Sequence, residues 1–176
     1  MADFNTSMNV LPFTAVSKLE YKGISKIYFP KWGGWALLDN SSTVPIDTAM
    51  LDDLVYHFYN SYFWLKLGGN EIGNQNIMNL LFVFAVHSGK RKAIEKLQRS
   101  LNVPVSGIMS TELINAVNLA HPKLLFLAFY AEIIEFLVIT NDQQFINKLL
   151  GIYYKFLNST HGVNTPIRKL IDTVLL

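Results

Sequence analysis

YKGISKIYFPKWGGW, from Tyr21 to Trp35, is the most distinctive stretch of this 176-residue chain. It holds two of the three tryptophans, and one proline and a pair of glycines interrupt its aromatic and apolar side chains. Proline and glycine mark turns and loops, because one fixes its backbone angle and the other tolerates unusual ones. We therefore predict a short helix over Lys22–Tyr28, followed by a loop that holds Pro30, Gly33 and Gly34.

Outward from this stretch, apolar residues recur every three to four positions, as they do on the buried face of a helix. The predicted helices are Pro12–Leu19, Asp47–Leu67, Asn74–His87, Lys90–Leu101, Ser110–Leu119, Pro122–Ile139, Asp142–Leu157 and a last one from Pro166. Strand-like alternation is limited to Ala36–Asp39. We predict an all-α fold, compact and multi-helical, with at most one small β-hairpin and a single domain over residues 1–176.

The composition favours burial over charge. Hydrophobic residues make up 51% of the chain and charged residues 16%, whereas charged residues average about 25% in globular proteins. The net charge of +2 gives no reason to expect a nucleic-acid partner. The longest apolar run, Leu124–Ile139, is interrupted by Glu132 and Glu135, whereas a membrane helix needs about 20 nearly uncharged residues. We expect no membrane span.

Four further segments follow Tyr21–Trp35 in order: FYNSYFWLKL at Phe58–Leu67, LFVFAVHSG at Leu81–Gly89, AIEKLQRSLNV at Ala93–Val103, and SGIMSTELINAVN at Ser106–Asn118. Together these segments resemble the N-acetylmuramidase-like proteins of glycoside hydrolase family 108, known from phage endolysins and bacterial secretion activator proteins. The resemblance implies a lysozyme-like domain. Residues 1–89 would be a degenerate muramidase-like part, and residues 90–176 a helical part similar to peptidoglycan-binding segments.

The sequence departs from that family in the segment that carries catalysis. Family members have Glu-Gly-Gly-Tyr, then an Asp and a Thr, before their Tyr-x-Gly-Ile segment. When the chain is aligned on Tyr21-Lys22-Gly23-Ile24, it is too short to hold that Glu and Asp, and Glu20 falls where the Thr would be. In a second alignment Glu20 takes the role of the catalytic Glu, still without the Asp. Glycoside hydrolysis needs an acid and a second group across the sugar. Glu20 is therefore the candidate catalytic residue, and in neither alignment does an Asp stand at the right distance to be its partner.

Candidate glycan-binding residues are the three tryptophans and one histidine: Trp32, Trp35, Trp64 and His87. Tryptophan rings can stack on sugars, but the same rings would serve equally well as core. His87 stands where the family has Asn and would face the former cleft, or it would be a hydrogen-bonded structural histidine. The histidines have no metal-ligand spacing and the chain has no cysteine, so we expect neither a metal site nor a cofactor.

Three functions remain open from the sequence. The first is a lysozyme-derived, non-catalytic domain for assembly or recognition, within a phage particle or a phage-tail-like system, with protein partners or further copies of itself. The second is an active muramidase that uses Glu20. The third is a module that binds peptidoglycan without cleaving it. The first residues, Met1-Ala2-Asp3-Phe4, do not resemble a signal peptide, so we expect synthesis in the bacterial cytoplasm and incorporation into such a particle.

Overall fold

The computed structural model describes residues 20–39 and 48–157, together with residues 168, 170 and 171. The chain forms two compact units that join in sequence between Phe58 and Tyr59. The elements are β1 (Glu20–Tyr21), β2 (Ile24–Ser25), α1 (Gly34–Asp39), α2 (Thr48–Tyr59), α3 (Gln75–Ser88), α4 (Lys90–Ser100), α5 (Thr111–Leu119), α6 (Pro122–Ile139) and α7 (Gln143–Leu157). An all-α fold with one small hairpin is therefore confirmed.

The first unit begins with the hairpin, which corrects the prediction of a helix over Lys22–Tyr28. The strands are antiparallel, with Glu20 opposite Ser25 and Tyr21 opposite Ile24. Both loop residues have positive φ, 44° at Lys22 and 74° at Gly23, as a two-residue type I′ hairpin loop requires. Glycine adopts this conformation freely. The turn at Lys22-Gly23 therefore outweighs the helical spacing of the apolar residues that follow. Ala36–Asp39, the strand-like segment of the sequence, lies in α1.

Helix α2 continues into one wider turn and then one tighter turn before the helical path ends. A π-helical turn covers Asn60–Trp64 and a 3-10 turn covers Leu65–Leu67. Gly68 then ends the helical path with φ 73°, just after Leu67, the predicted end of this helix. Asp47, its predicted first residue, lies outside the described residues. The predicted helix Pro12–Leu19 and most of the segment from Pro166 also lie outside them.

Helix α3 is the centre of the second unit. Every residue from Ile77 to Ala85 is buried, so this helix has no solvent-facing side over its middle turns. The side chain of Asn74, where the predicted helix begins, caps the helix by accepting a hydrogen bond from the backbone N–H of Ile77 at 3.1 Å. Helices α4 and α6 pack against α3. The buried aromatic side chains at the centre are Tyr59, Phe82, Phe84, Phe126 and Phe129.

A single buried amide organises the loop between α4 and α5. The Oε1 atom of Gln98 accepts hydrogen bonds from the backbone N–H groups of Ser106 and Gly107, both at 2.9 Å. Its Nε2 donates to the Ser106 hydroxyl at 2.9 Å and to the Ile108 carbonyl at 3.3 Å. Gly107 has φ 70°, and a Cβ there would lie 2.7 Å from Cγ of Arg91. The loop therefore lies close over α4 and depends on one side chain.

His87 connects the end of α3 to the start of α7. Its ring stacks on Phe145 with centroids 3.6 Å apart, and its Nε2 lies 2.7 Å from Oδ2 of Asp142. Asp142 also caps α7, because its Oδ1 accepts a hydrogen bond from the N–H of Phe145 at 3.0 Å. That backbone hydrogen bond, with His87 beside it, holds the pKa of Asp142 below its usual range.

No helix in the described part of the chain is long and apolar enough to cross a membrane. Helix α6 is the most apolar, and Glu132 and Glu135 lie within it. Lys96 of α4 binds Glu132 at 3.0 Å and lies 3.9 Å from Glu135. The acidic pair is thus directed toward α4, where it offsets part of that helix's basic charge.

We predict that Gln98→Leu lowers the free energy of unfolding by about 2–4 kcal/mol, because a similar-sized apolar side chain leaves the loop's donors and acceptors without partners. Urea denaturation followed by circular dichroism measures this. Gln144→Leu is the matched control, since Gln144 is exposed on α7. A loss below about 0.5 kcal/mol for Gln98→Leu, the range of ordinary surface substitutions, would contradict the role given to this amide.

We predict that Asp142→Asn lowers the melting temperature at neutral pH and that this difference disappears in acid. The folded pKa of Asp142 is below its ordinary 3.8, so the unfolded chain binds the proton more tightly. The carboxylate's contribution is present above that ordinary value and is lost as the pH falls through the lowered one. Asparagine caps helices about as well as aspartate, so the substitution isolates the charge.

Melting curves of the wild type and of Asp142→Asn between neutral pH and about pH 2.5 measure the difference. Glu71→Gln removes the same charge from an exposed loop position and serves as the control. A melting-temperature difference that stays constant across this range would show that the Asp142 charge has no part in the link between α3 and α7.

Candidate functional site

The tryptophans of the first unit pack against each other. The rings of Trp32 and Trp35 meet edge to face, with centroids 4.9 Å apart and planes at 83°. Trp35 is 5% exposed, and its Nε1 donates to the carbonyl of Phe29 at 2.8 Å. A ring this deeply buried offers almost no surface on which a sugar could stack. Trp35 therefore acts as core in this conformation, and its predicted glycan contact is untested.

Trp32 is partly exposed, unlike Trp35. Tyr21 stacks on it with centroids 6.0 Å apart, and its Nε1 donates to the Leu54 carbonyl at 3.3 Å. A Cβ at Gly34 would lie 2.2 Å from the Trp32 ring, so only glycine fits there without moving the ring. Tyr21 and Trp32 are both partly exposed, so this stacked pair is an aromatic surface of the first unit that includes a predicted site residue.

Glu20, the candidate catalytic residue, is an exposed residue of β1. Neighbouring carboxylates in this unit are held by lysines: Asp39 by Lys26 at 2.8 Å, and Asp52 by Lys22 at 2.6 Å. Such surface ion pairs contribute about 0–1 kcal/mol each, so their main effect is to fix the local charge pattern. Glu20 thus lies in solvent.

In the second unit, Trp64 and His87 have separate partners. Trp64 is 9% exposed, donates from Nε1 to Oδ1 of Asn70 at 3.0 Å, and packs on Phe82 with centroids 5.8 Å apart. His87 has one ring face covered by Phe145 and is bound to Asp142. Both side chains therefore serve the packing of this unit, whatever further role they have.

Several described carboxyl groups have a lowered pKa. A hydrogen bond from Lys92, with Arg91 adding to it, lowers the pKa of Glu95. A hydrogen bond from Ser110 lowers the pKa of Glu112 at the start of α5. Asp142 shows the same direction for the reason given above. A general acid for glycoside hydrolysis needs the opposite shift, so these groups are suited to structural roles.

The sequence reasoning missed a lysine held over aromatic rings. Nζ of Lys90 lies 3.4 Å from the centroid of the Tyr62 ring and 5.4 Å from that of Phe63, and it donates to the Tyr62 carbonyl at 2.7 Å. Burial, followed by the nearby charge of Lys66, lowers the pKa of Lys90. Lys90 begins the basic run Lys90-Arg91-Lys92, a pattern that is usually a solvated helix face. Tyr62 lies in the π-helical turn, which sequence spacing does not reveal.

Trp32 and Trp35 are thus the predicted site residues that come into contact with each other. Within the described residues, no group of three or more histidines, aspartates or glutamates is arranged to hold a metal ion.

No family model matches the chain, and no curated protein matches it. Among solved structures, SagA of Brucella abortus is similar to this chain, with a TM-score of 0.58 and 16% sequence identity. The match covers 78% of this chain and 80% of SagA. Identity this low shows a shared fold and nothing more. The lysozyme-like all-α fold expected from the sequence is confirmed, and the particular family stays a prediction.

Proposed function

We propose that this chain is a lysozyme-derived domain that has lost catalysis and serves in assembly or recognition. The observation that carries the proposal is the exposure, ion pairing and pKa direction of the chain's described carboxyl groups. Glu20 is exposed, and Asp39 and Asp52 are bound by lysines. Among the described residues, each carboxyl group with a shifted pKa has that pKa lowered. A muramidase needs a protonated acid near neutral pH and a second group on the other side of the sugar.

The packing of the tryptophans supports the same proposal. Trp35 and Trp64 are buried, and the indole N–H of each is bound within its own unit. These side chains stabilise the fold whether or not a sugar ever binds. A chain that lost its catalytic segment would therefore keep the aromatic pattern that resembles glycoside hydrolase family 108. A fold can persist after its activity is lost, because catalysis depends on a few side chains whereas the fold depends on the whole core.

The setting we propose is a phage particle or a phage-tail-like system, with proteins or further copies of the chain as partners. Several large apolar side chains of the second unit are exposed, among them Leu119, Leu124 and Ile139. We propose that these side chains belong to a surface that contacts such partners. We propose synthesis in the bacterial cytoplasm followed by incorporation into such an assembly.

We predict no loss of turbidity when the purified chain is incubated with purified peptidoglycan, beyond that of buffer alone. The physical reason is the proposed loss of the general acid, because removing such a group typically costs about 10²–10⁴ in rate. An active lysozyme on the same preparation is the positive control. Robust lysis by this chain would overturn the proposal.

If lysis does occur, Glu20→Gln separates the two remaining explanations. Glutamine keeps the size and hydrogen bonding of Glu20 but cannot donate the proton as a carboxylic acid does. Loss of lysis in this variant would establish the active muramidase. Unchanged lysis would show that a residue other than Glu20 provides the acid. Glu71→Gln, at another exposed position, is the matched control.

The partly exposed Tyr21–Trp32 pair favours glycan recognition as a second candidate function. We predict that, if this function exists, purified sacculi retain the wild-type chain in a pulldown and retain Trp32→Ala at least about 5-fold less, because each stacked ring contributes about 1 kcal/mol or more. Tyr28→Ala, at a residue 79% exposed in the same unit, is the control. Absence of wild-type retention would exclude this role.

A further inference from the structure

Three aromatic side chains of the second unit meet one side chain of α3. The ring centroids of Tyr59, Phe63 and Trp64 lie 6.4, 6.4 and 5.8 Å from that of Phe82. Their exposed fractions are only 2%, 8% and 9%. These residues therefore share one buried side of the chain, although Tyr59 and Trp64 stand five positions apart.

In a regular α-helix, Tyr59 and Trp64 could not both reach Phe82. At about 3.6 residues per turn each residue advances by about 100°, so the side chain of residue 64 would point about 140° away from that of Tyr59. That direction is closer to the exposed Ser61 than to Tyr59. The π-helical turn over Asn60–Trp64 closes its hydrogen bonds one residue further along the chain and advances less per residue. The widened turn therefore brings Trp64 to Phe82.

The side chain of Lys90 holds this turn at Tyr62 and Phe63. Its Nζ donates to the Tyr62 carbonyl at 2.7 Å and lies 3.4 Å and 5.4 Å from the two ring centroids. A cation within about 6 Å of a ring centroid is attracted to the face of the ring. Lys90 is the first residue of α4, which packs against α3. The turn is thus tied to the two helices at the centre of the unit.

The contact made by Lys90 is balanced by opposing effects. The Tyr62 carbonyl and ring favour the ammonium group. Burial, followed by the charge of Lys66, lowers the pKa of Lys90 and so acts against it. A contact with this opposition can be released by a small change at Lys90.

The loop after the turn confines Trp64 as well. The indole Nε1 donates to Oδ1 of Asn70 at 3.0 Å, and the backbone N–H of Gly69 donates to the Trp64 carbonyl at 2.9 Å. A Cβ at Gly69 would collide with the indole ring. The buried position of Trp64 therefore requires both the widened turn and a glycine beside the ring.

We propose that Lys90 is a clamp that keeps Asn60–Trp64 in the π-helical form, and that this segment has a second, α-helical form in which Trp64 leaves Phe82 and becomes exposed. Lys90 is then a positioning residue that acts on Trp64 through Tyr62. The clamp controls whether the chain presents this indole at its surface. π-Helical turns are frequent at functional sites, where such a change of form has a use.

This inference goes beyond the proposed function, because it rests on contacts within the second unit alone. It would hold for an active enzyme as well as for an inactive descendant. Its failure would leave the peptidoglycan test unaffected, and lysis of peptidoglycan would leave the clamp unaffected.

Fluorine NMR of the full chain labelled with fluorinated tryptophan tests the clamp, because each of the three tryptophans gives its own signal. Trp64→Phe assigns the signal of Trp64. Lys90→Met keeps the apolar stem and removes the charge and the donor. In this variant at least about 10% of the Trp64 signal is expected to move to a form that shifts when heavy water replaces water. The signals of Trp32 and Trp35 are expected to stay in place.

Three further variants serve as controls. Lys90→Arg keeps a cation and a donor, so it is expected to give the wild-type Trp64 signal. Lys123→Met makes the same chemical change at an exposed lysine in the first turn of α6, and it is also expected to match the wild type. Gly69→Ala displaces the indole without touching Lys90, and its Trp64 signal is expected to respond to heavy water.

Each of four outcomes would overturn the proposal. An unchanged Trp64 signal in Lys90→Met would show that Lys90 does not hold the turn. Equal changes at all three tryptophans would show a general loss of structure. The same change in Lys90→Arg as in Lys90→Met would show that neither the charge nor the donor matters. A Trp64 signal in Gly69→Ala that ignores heavy water would show that the segment has no second form.

Discussion

Helix α3 is buried on every side over its middle turns, and the second unit is arranged so as to cover it. Nine consecutive buried residues, from Ile77 to Ala85, leave the helix no face for solvent. Burial of each large apolar side chain contributes about 1.5–3 kcal/mol, so this helix supplies much of the stability of the unit. Other elements then take their places around it: α4 and α6 pack against it, and α7 is joined to its end by His87.

The helices of the second unit could be predicted from the sequence because their signals are local. Asn74, Ser110 and Asp142 stand just before apolar periodic runs, and each caps the helix that follows it. Gly68 and Gly89 mark helix ends in the same way. The residues of the core follow from the same periodicity. Such signals need no knowledge of what lies elsewhere in the chain.

The hairpin and the lysine–aromatic contact could not be predicted, because each depends on something other than periodicity. The hairpin depends on positive φ angles at Lys22 and Gly23. Lysine rarely adopts a positive φ, so its presence in the sequence does not indicate such a turn. Lys90 donates to the carbonyl of Tyr62, which lies in a widened, π-helical turn that periodicity does not reveal. The candidate site residues were only partly predictable for a similar reason: a tryptophan looks the same in a sequence whether it faces a sugar or a core.

Gly34 and Trp32 restrict each other's replacement. A side chain at position 34 would collide with the indole, and removal of the indole would open a gap beside Trp35 and Tyr21. Neither position can change freely while the other remains, so packing alone is enough to retain the pair. A search that recognises proteins by the Trp-Gly-Gly-Trp run therefore selects for this packing. The run by itself carries no information about activity, which depends on residues outside it.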